Sequence, residues 1–178
     1  MADAEYLAWF NEKFDYADTL IWCPAASPDD VLAAYELEAN QAQLATIDEL
    51  VDFRLVVGRL GSGSFVIQPN GCPGDSTLLA LAQHGPCLSV QWSDTAPPGI
   101  AYLSDRRLVA SFDPFEPELD PKPDIDHVES WISATPAGSK IWEEDWALAV
   151  LITAEALSSE VIDEEWVHAS HFGVLASS

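Results

Sequence analysis

The alternation of apolar and polar positions predicts helices and one short strand in the first third of the chain. Apolar side chains recur at helical spacing over Ala2–Phe14, and the β-prone run Tyr16–Cys23 indicates a strand. Two polar signals for helix starts follow, Ser27-Pro28-Asp29-Asp30 and the capping box Thr46-Ile47-Asp48-Glu49. We therefore expect two short helices before the sequence pattern changes.

The middle of the chain has the period-two pattern and the turn residues of an antiparallel sheet. Arg54–Leu60 and Ser64–Gln68 are joined by Gly61-Ser62-Gly63, which predicts a hairpin. One helix, capped by Asp75 or Ser76, is expected to run to about His84. Three further strands are predicted after it: Cys87–Trp92, Ile100–Ser104 and Leu108–Phe112. Region 54–112 is therefore expected to form a meander interrupted by one helix.

The last third is predicted to be helical and is separated from the sheet by an acidic, proline-rich loop at 113–123. Four prolines within DPFEPELDPKP disfavour both a helix and a sheet interior. Three helices are predicted within the following part, 124–170: Asp124–Ala134, Ile141–Leu157 and Ser159–His168. The whole pattern predicts one α+β domain over 1–178, with an antiparallel meander of about five to six strands and helices packed mainly on one face.

The charge balance changes this picture more than the overall composition does. The chain of 178 residues has 30 Asp and Glu but only 7 Lys and Arg, which gives a formal net charge of −23. Charged residues make up an ordinary 21%, so the imbalance comes from missing cations. With 48% hydrophobic residues, disorder is disfavoured, and the lack of cations disfavours direct nucleic-acid binding. The excess negative charge indicates either a compositional habit of the host or a surface that binds a basic partner.

Cysteine use and the amino-terminal sequence predict a cytoplasmic location. Cys23, Cys72 and Cys87 form no CxxC pair, which is typical of buried thiols in a reducing compartment. The sequence MADAEYLAWFNEKF lacks the basic and apolar regions of a signal peptide. No apolar run is long enough to span a membrane, so no membrane contact is expected.

Candidate catalytic and metal-binding groups each have a plain structural explanation. The cluster Asp124-Ile125-Asp126-His127, with Glu129, could bind a divalent ion, but acids in a first helical turn also complement the helix dipole. Glu164 and His168 share a helix face without the second histidine of a zincin helix. Cys72 and His84 lack a third catalytic partner, and the glycines of GRLGSGS do not form a phosphate loop. We therefore expect no enzyme activity, cofactor or metal ion.

Tryptophans that lie among carboxylates are the candidates for partner binding. An indole surrounded by acids can be buried against a basic partner and stack on its cations. Core packing is the other explanation for each of these tryptophans. Trp142 and Trp166 are the predicted anchors. The predicted acidic contacts are Asp113, Glu116, Glu118, Asp120, Glu143, Glu144, Asp145, Glu164 and Glu165.

The region Arg54–Pro114 resembles a family of uncharacterised bacterial α+β proteins of about this length. The similar segments are VVGRLGSGSFVIQPNGCPG, LSVQWS and AYLSDRRLVASFDP, and the earlier YLAWF and LIWC also fit the layout of that family. The glycine-joined hairpin, the PNG loop and the FDP strand end are similar in style to small immunity proteins of toxin systems. The first resemblance implies no catalytic residues, and the second implies a protein that neutralises a toxin.

Three functional hypotheses follow. The first is a non-enzymatic acidic binding protein, most concretely an immunity or inhibitor protein that neutralises a basic effector such as a nuclease toxin. The second is a DNA mimic, encoded by a phage or mobile element, that inhibits a nucleic-acid-binding or defence protein. The third is a carboxylate- and metal-dependent hydrolase.

Overall fold

The fold is described from a computed structural model, which covers residues 1–15, 17–92, 97–115 and 125–176, without the side chains of 125 and 126. Seven α-helices lie in this part of the chain: α1 (Ala4–Lys13), α2 (Pro28–Ala34), α3 (Asp75–Leu81), α4 (Ile125–Ala134), α5 (Gly138–Glu144), α6 (Trp146–Ser158) and α7 (Glu164–His168). The strands are β1 (Thr19–Cys23), β2 (Gln43–Ala45), β3 (Phe53–Leu60), β4 (Gly63–Gln68), β5 (Cys87–Gln91), β6 (Gly99–Ser104), β7 (Arg107–Phe112) and β8 (His171–Leu175). Two 3₁₀ helices, Ala39–Gln41 and Ile47–Asp52, complete the regular structure of these residues.

The strands form one antiparallel sheet in the order β2-β8-β3-β4-β1-β5-β6-β7. The α+β prediction with a single antiparallel sheet is confirmed. The predicted strand number of about five to six is wrong, because the sheet has eight strands. The two strands missing from the prediction are the three-residue β2 and β8, which follows the last helix and pairs with β3.

The centre of the sheet is occupied by β1, which comes from the amino-terminal third of the chain. It pairs with β4 on one side and β5 on the other, so the predicted meander over 54–112 is split into two parts. All five of its residues are buried. The sequence Thr19–Cys23 is apolar at almost every position, as expected for a strand covered on both faces.

Each face of the sheet contributes to its own apolar cluster. Alternate residues of β1 divide between the two clusters, with Leu20 and Trp22 in one and Ile21 and Cys23 in the other. The first cluster is rich in aromatic rings and includes residues of α1 and α4 to α7. The second is mostly aliphatic and includes residues of α2 and α3. Helical residues therefore contribute to both clusters.

Local signals in the sequence set several boundaries of these elements. Ser27 and Asp30 form the predicted capping box at the start of α2. The capping box at Thr46 and Glu49 also forms, but it opens a 3₁₀ helix rather than an α-helix. The predicted long helix Ile141–Leu157 is interrupted at Asp145, whose carboxylate accepts a hydrogen bond from the first turn of α6.

Two other helix predictions need correction. The segment Ser159–His168 was expected to be helical throughout, but α7 begins only at Glu164, after Asp163 caps it. Helix α3 is capped by Gly74 rather than by Asp75 or Ser76.

Within the described residues, no helix is both long and apolar enough to cross a membrane.

Candidate functional site

The two tryptophans predicted to anchor a partner are buried in the aromatic cluster. Trp142 is 5% exposed, and its indole N–H donates to the Thr135 hydroxyl at 2.9 Å. Trp166 is 9% exposed, and its indole N–H donates to the carbonyl oxygen of Arg59 at 2.8 Å. Each indole thus has a core environment and a satisfied donor. Either ring would have to leave the core to insert into a partner.

The predicted acidic contacts occupy separate places on the fold. Glu143 and Glu144 are exposed at the end of α5, and Glu165 is exposed on α7. Asp145 is partly buried and accepts a hydrogen bond from the Leu148 amide at 3.1 Å. Asp113 accepts one from the Phe115 amide at 2.8 Å. Glu164 begins α7, and three other predicted residues lie outside the described residues: Glu116, Glu118 and Asp120.

Helix α1 contributes the partly exposed aromatic rings that the sequence prediction missed. Tyr6 and Trp9 are three residues apart, and their rings stack with centroids 5.5 Å apart. The Tyr6 hydroxyl donates to the Ile162 carbonyl oxygen at 2.8 Å, which joins α1 to the segment before α7. Burial raises the pKa of Tyr6 well above its usual value, so this hydroxyl stays a donor.

A groove of about 460 Å³ lies between α1 and the segment that leads into α7. We call it the Trp9 groove, and its lining residues are Asp3, Glu5, Tyr6, Trp9, Val161, Ile162, Asp163 and Glu164. Val161 remains 45% exposed within it. The groove therefore combines aromatic and aliphatic surface with four carboxylates from two separate segments.

Glu164 is the most connected of these carboxylates. Its Oε1 accepts a hydrogen bond from the Trp9 indole at 2.6 Å and lies 3.7 Å from the Lys13 ammonium nitrogen. Its Oε2 lies 3.3 Å from Nε2 of His168, one helical turn away as the sequence spacing predicts. The Trp9 hydrogen bond, followed by the charges of Lys13 and His168, lowers the pKa of Glu164 below its usual value. Glu164 is therefore ionised at neutral pH.

Two other groove carboxylates are oriented by helix caps. Asp3 accepts a hydrogen bond from the Tyr6 amide at 2.9 Å at the start of α1. Asp163 accepts one from the Trp166 amide at 2.8 Å at the start of α7. Both are exposed, so each cap fixes a negative charge at the rim of the groove.

A second aromatic cavity, of about 280 Å³, lies on the other side of α1. Its lining residues are Asn11, Asp15, Trp92, Trp146 and Ala147. The Trp92 and Trp146 rings meet edge to face with centroids 5.6 Å apart. Phe115, which is 68% exposed, packs its ring 6.1 Å from Trp146. This cavity has one carboxylate in its lining, compared with four in the Trp9 groove.

Buried Phe10 connects the two aromatic sites beneath α1. Its ring centroid lies 6.0 Å from that of Tyr6 and 5.5 Å from that of Trp92. The same helix carries exposed Glu5 and Glu12, and exposed Asp15 follows soon after its last residue, Lys13. Acids on and just after α1 are therefore exposed to solvent, while Phe10 packs against an aromatic ring from the lining of each cavity.

Cations are sparse around α1 and more frequent elsewhere on the described surface. The Lys13 ammonium lies within 4 Å of both Glu12 and Glu164. The amino-terminal nitrogen lies 3.0 Å from Glu155 Oε1. The other cations of the described ranges are exposed on β3, in the β6–β7 turn region and on α5: Arg54, Arg59, Arg106, Arg107 and Lys140.

The candidate metal and nucleophile groups do not assemble into a site in the part of the chain that the structure describes. No group of three or more His, Cys, Asp or Glu side chains is arranged there to hold a metal ion. Asp124 and the side chain of Asp126 lie outside the described residues. The Nδ1 atom of His84 lies 3.8 Å from Oδ2 of Asp30, and Cys72 is exposed in its loop.

The two other cysteines are buried on neighbouring strands. Burial raises the pKa of both Cys23 and Cys87, the latter to about 12, so these thiols stay protonated.

No protein-family model, curated protein or solved structure matches this chain significantly.

Proposed function

We propose that this chain is a non-enzymatic acidic binding protein that captures a basic protein partner. Its most concrete form is an immunity or inhibitor protein that neutralises a basic effector, such as a nuclease toxin, in the cytoplasm. The observation that carries the proposal is the Trp9 groove, where partly exposed aromatic surface is surrounded by four carboxylates. The resemblance of the hairpin and its loops to immunity proteins agrees with this role.

The net charge and the groove would contribute to binding in different ways. A charge of −23 attracts a basic protein over long range, which raises the association rate and disfavours acidic partners. Aromatic groups that become fully desolvated in a complex slow its dissociation. We therefore propose the Trp9 groove, between α1 and the segment that leads into α7, as the docking surface, because both contributions occur together there.

The salt dependence of binding tests the electrostatic part of the proposal. The partner to use is a basic nuclease toxin, produced as a catalytically disabled variant for the binding measurement. Because the Debye length falls from about 10 Å at 0.1 M salt to about 3 Å at 1 M, we expect association to slow and Kd to rise with added NaCl. A Kd that stays constant over this range would contradict the electrostatic proposal.

A nuclease assay tests the inhibitory part of the proposal. The active toxin, titrated with this protein, should lose its nuclease activity at a one-to-one ratio. An acidic protein of similar charge and unrelated fold serves as the control for nonspecific charge effects, and it should not inhibit at that ratio. Full nuclease activity in the presence of excess protein would contradict the inhibitor role.

A further inference from the structure

We propose that the Trp9 groove is a docking pocket for an arginine side chain of the basic partner. This inference rests on the proposed function and names the chemistry at one point of the interface. The groove has an aromatic wall, an aliphatic wall and a rim of carboxylates, and an arginine side chain matches all three. The aliphatic stem suits apolar surface, and the guanidinium suits both an aromatic face and a carboxylate.

The apolar part of the groove is too exposed to be explained by core packing alone. Val161 is 45% exposed on a segment without regular structure, next to the buried Ile162. Across the groove, the stacked Tyr6 and Trp9 rings are only partly buried. The methylene stem of a long side chain could cover this apolar surface and remove it from water, while its charged end group stays at the polar rim.

The charged part of the groove already attracts a cation of the chain itself. The Lys13 ammonium lies 3.7 Å from Glu164 Oε1, on the same carboxylate oxygen that accepts the Trp9 indole N–H. This ion pair is loose and leaves the net charge of the rim negative, because Asp3, Glu5 and Asp163 also line the groove. A second cation is therefore favoured there by charge complementarity.

Guanidinium chemistry fits the groove better than an ammonium group does. A guanidinium is planar and weakly hydrated, stacks on indole rings and can bind a carboxylate through two parallel N–H donors. A lysine ammonium is a strongly hydrated point charge and gains less from the Trp9 ring. The Trp92–Trp146 cavity is a weaker candidate, because Asp15 is the one carboxylate in its lining.

A small probe tests the pocket without knowledge of the partner. N-acetyl-arginine amide is titrated into the full chain at low salt, and the ¹⁵N–¹H resonances are followed by NMR. Trp9→Phe identifies the indole resonance of Trp9. We expect this resonance and that of the Val161 amide to shift most, with saturation at millimolar probe. The neutral isostere N-acetyl-citrulline amide should produce less than a tenth of these shifts.

Two variants with the same charge change test where the probe binds. Val161→Arg places the chain's own guanidinium in the groove, while Val51→Arg makes the same charge change at a residue that is 63% exposed outside it. We expect Val161→Arg to weaken probe binding at least tenfold and Val51→Arg to change it less than twofold. Shifts spread evenly over the acidic surface, or equal effects of the two variants, would overturn the pocket assignment.

The two proposals fail in distinguishable ways. If a basic effector binds with salt-sensitive affinity that Val161→Arg and Val51→Arg change equally, the arginine pocket is wrong and the proposed function stands. If the probe binds at Trp9 but the protein neither binds nor inhibits a basic effector, the proposed function is wrong and the pocket assignment stands. A more than tenfold selective loss of effector affinity in Val161→Arg supports both.

Discussion

Trp9 and Trp166 are both neighbours of the acidic segment Asp163–Glu165, but they occupy opposite environments. Trp9 meets this segment in space, through Glu164, whereas Trp166 follows it in sequence. The Trp9 indole is partly exposed and donates to the side chain of Glu164, whereas the Trp166 indole is buried and donates to the backbone of Arg59 on β3. A backbone acceptor ties Trp166 to the sheet, and a surface carboxylate leaves Trp9 beside a negative charge. The difference teaches that an acidic neighbour in sequence does not identify an exposed tryptophan.

Truncating the two indoles should separate a core residue from a surface residue most clearly. We expect Trp166→Ala to lower the free energy of unfolding by about 3–5 kcal/mol, because it removes a buried ring from the aromatic cluster. Trp9→Ala should cost roughly 1–2 kcal/mol, since part of its ring is already in water. Denaturant unfolding followed by circular dichroism measures both. Equal losses for the two variants would contradict the comparison.

The packing around Trp166 can also be tested from the strand beneath it. A Cβ atom added at Gly58 would collide with the rings of Trp166 and His171. We expect Gly58→Ala to lower the free energy of unfolding by about 1–3 kcal/mol, the usual range for overpacking a core. Gly99→Ala, on β6, is the matched control. A Cβ atom added there would lie 3.7 Å from its nearest neighbour, the side-chain oxygen of Gln91, which is ordinary van der Waals contact. A Gly58→Ala protein as stable as the Gly99→Ala protein would show that the indole can move away.

The elements predicted correctly are those whose signals are local in sequence. The β3–β4 hairpin and the capping box at Ser27 depend on residues within a few positions of each other, and both form as expected. The central place of β1 and the pairing of β8 with β3 depend on contacts between distant parts of the chain. An apolar run alone indicates a buried strand but not its neighbours.

The candidate site was predicted less well, for the same physical reason. The sequence singled out Glu164 on the rim of the groove, but it did not pair this residue with Trp9, which is 155 positions away. Trp9 stands beside Tyr6 and two acids in the first helix, so an aromatic pair with i, i+3 spacing next to Asp3 and Glu5 was the available signal. Which of the seven tryptophans are buried is decided by the packing of the helices on the sheet, which no local pattern records.

A titration can sharpen the same comparison through the buried neighbour of Trp166. His171 is buried, stacks on the Trp166 ring at 4.1 Å and has its Nε2 2.9 Å from the Trp166 carbonyl oxygen. Burial lowers its pKa below the usual 6.5, only partly offset by that hydrogen bond. As the pH falls through about 6.5, the unfolded chain therefore takes up a proton before the folded chain does, which favours unfolding.

The expected result is a pH-dependent stability difference between the wild-type protein and His171→Phe. The wild type should lose free energy of unfolding relative to the variant as the pH falls from about 7.5 to 5. Subtracting the variant removes the contribution of the many carboxylates that both proteins share. A gap between wild type and His171→Phe that does not change with pH would contradict the buried, neutral imidazole.

The smallest effect concerns the surface side of the comparison, at Glu164. The Trp9 hydrogen bond is the largest cause of its lowered pKa, ahead of the charges of Lys13 and His168. Trp9→Phe keeps an aromatic ring but removes the N–H donor, so the pKa of Glu164 should rise toward its usual value. Side-chain carboxyl ¹³C shifts measured against pH give this pKa, and Lys13→Gln should raise it less. A larger rise in Lys13→Gln than in Trp9→Phe would mean that the charge of Lys13, rather than the indole hydrogen bond, is the main cause of the lowered pKa of Glu164.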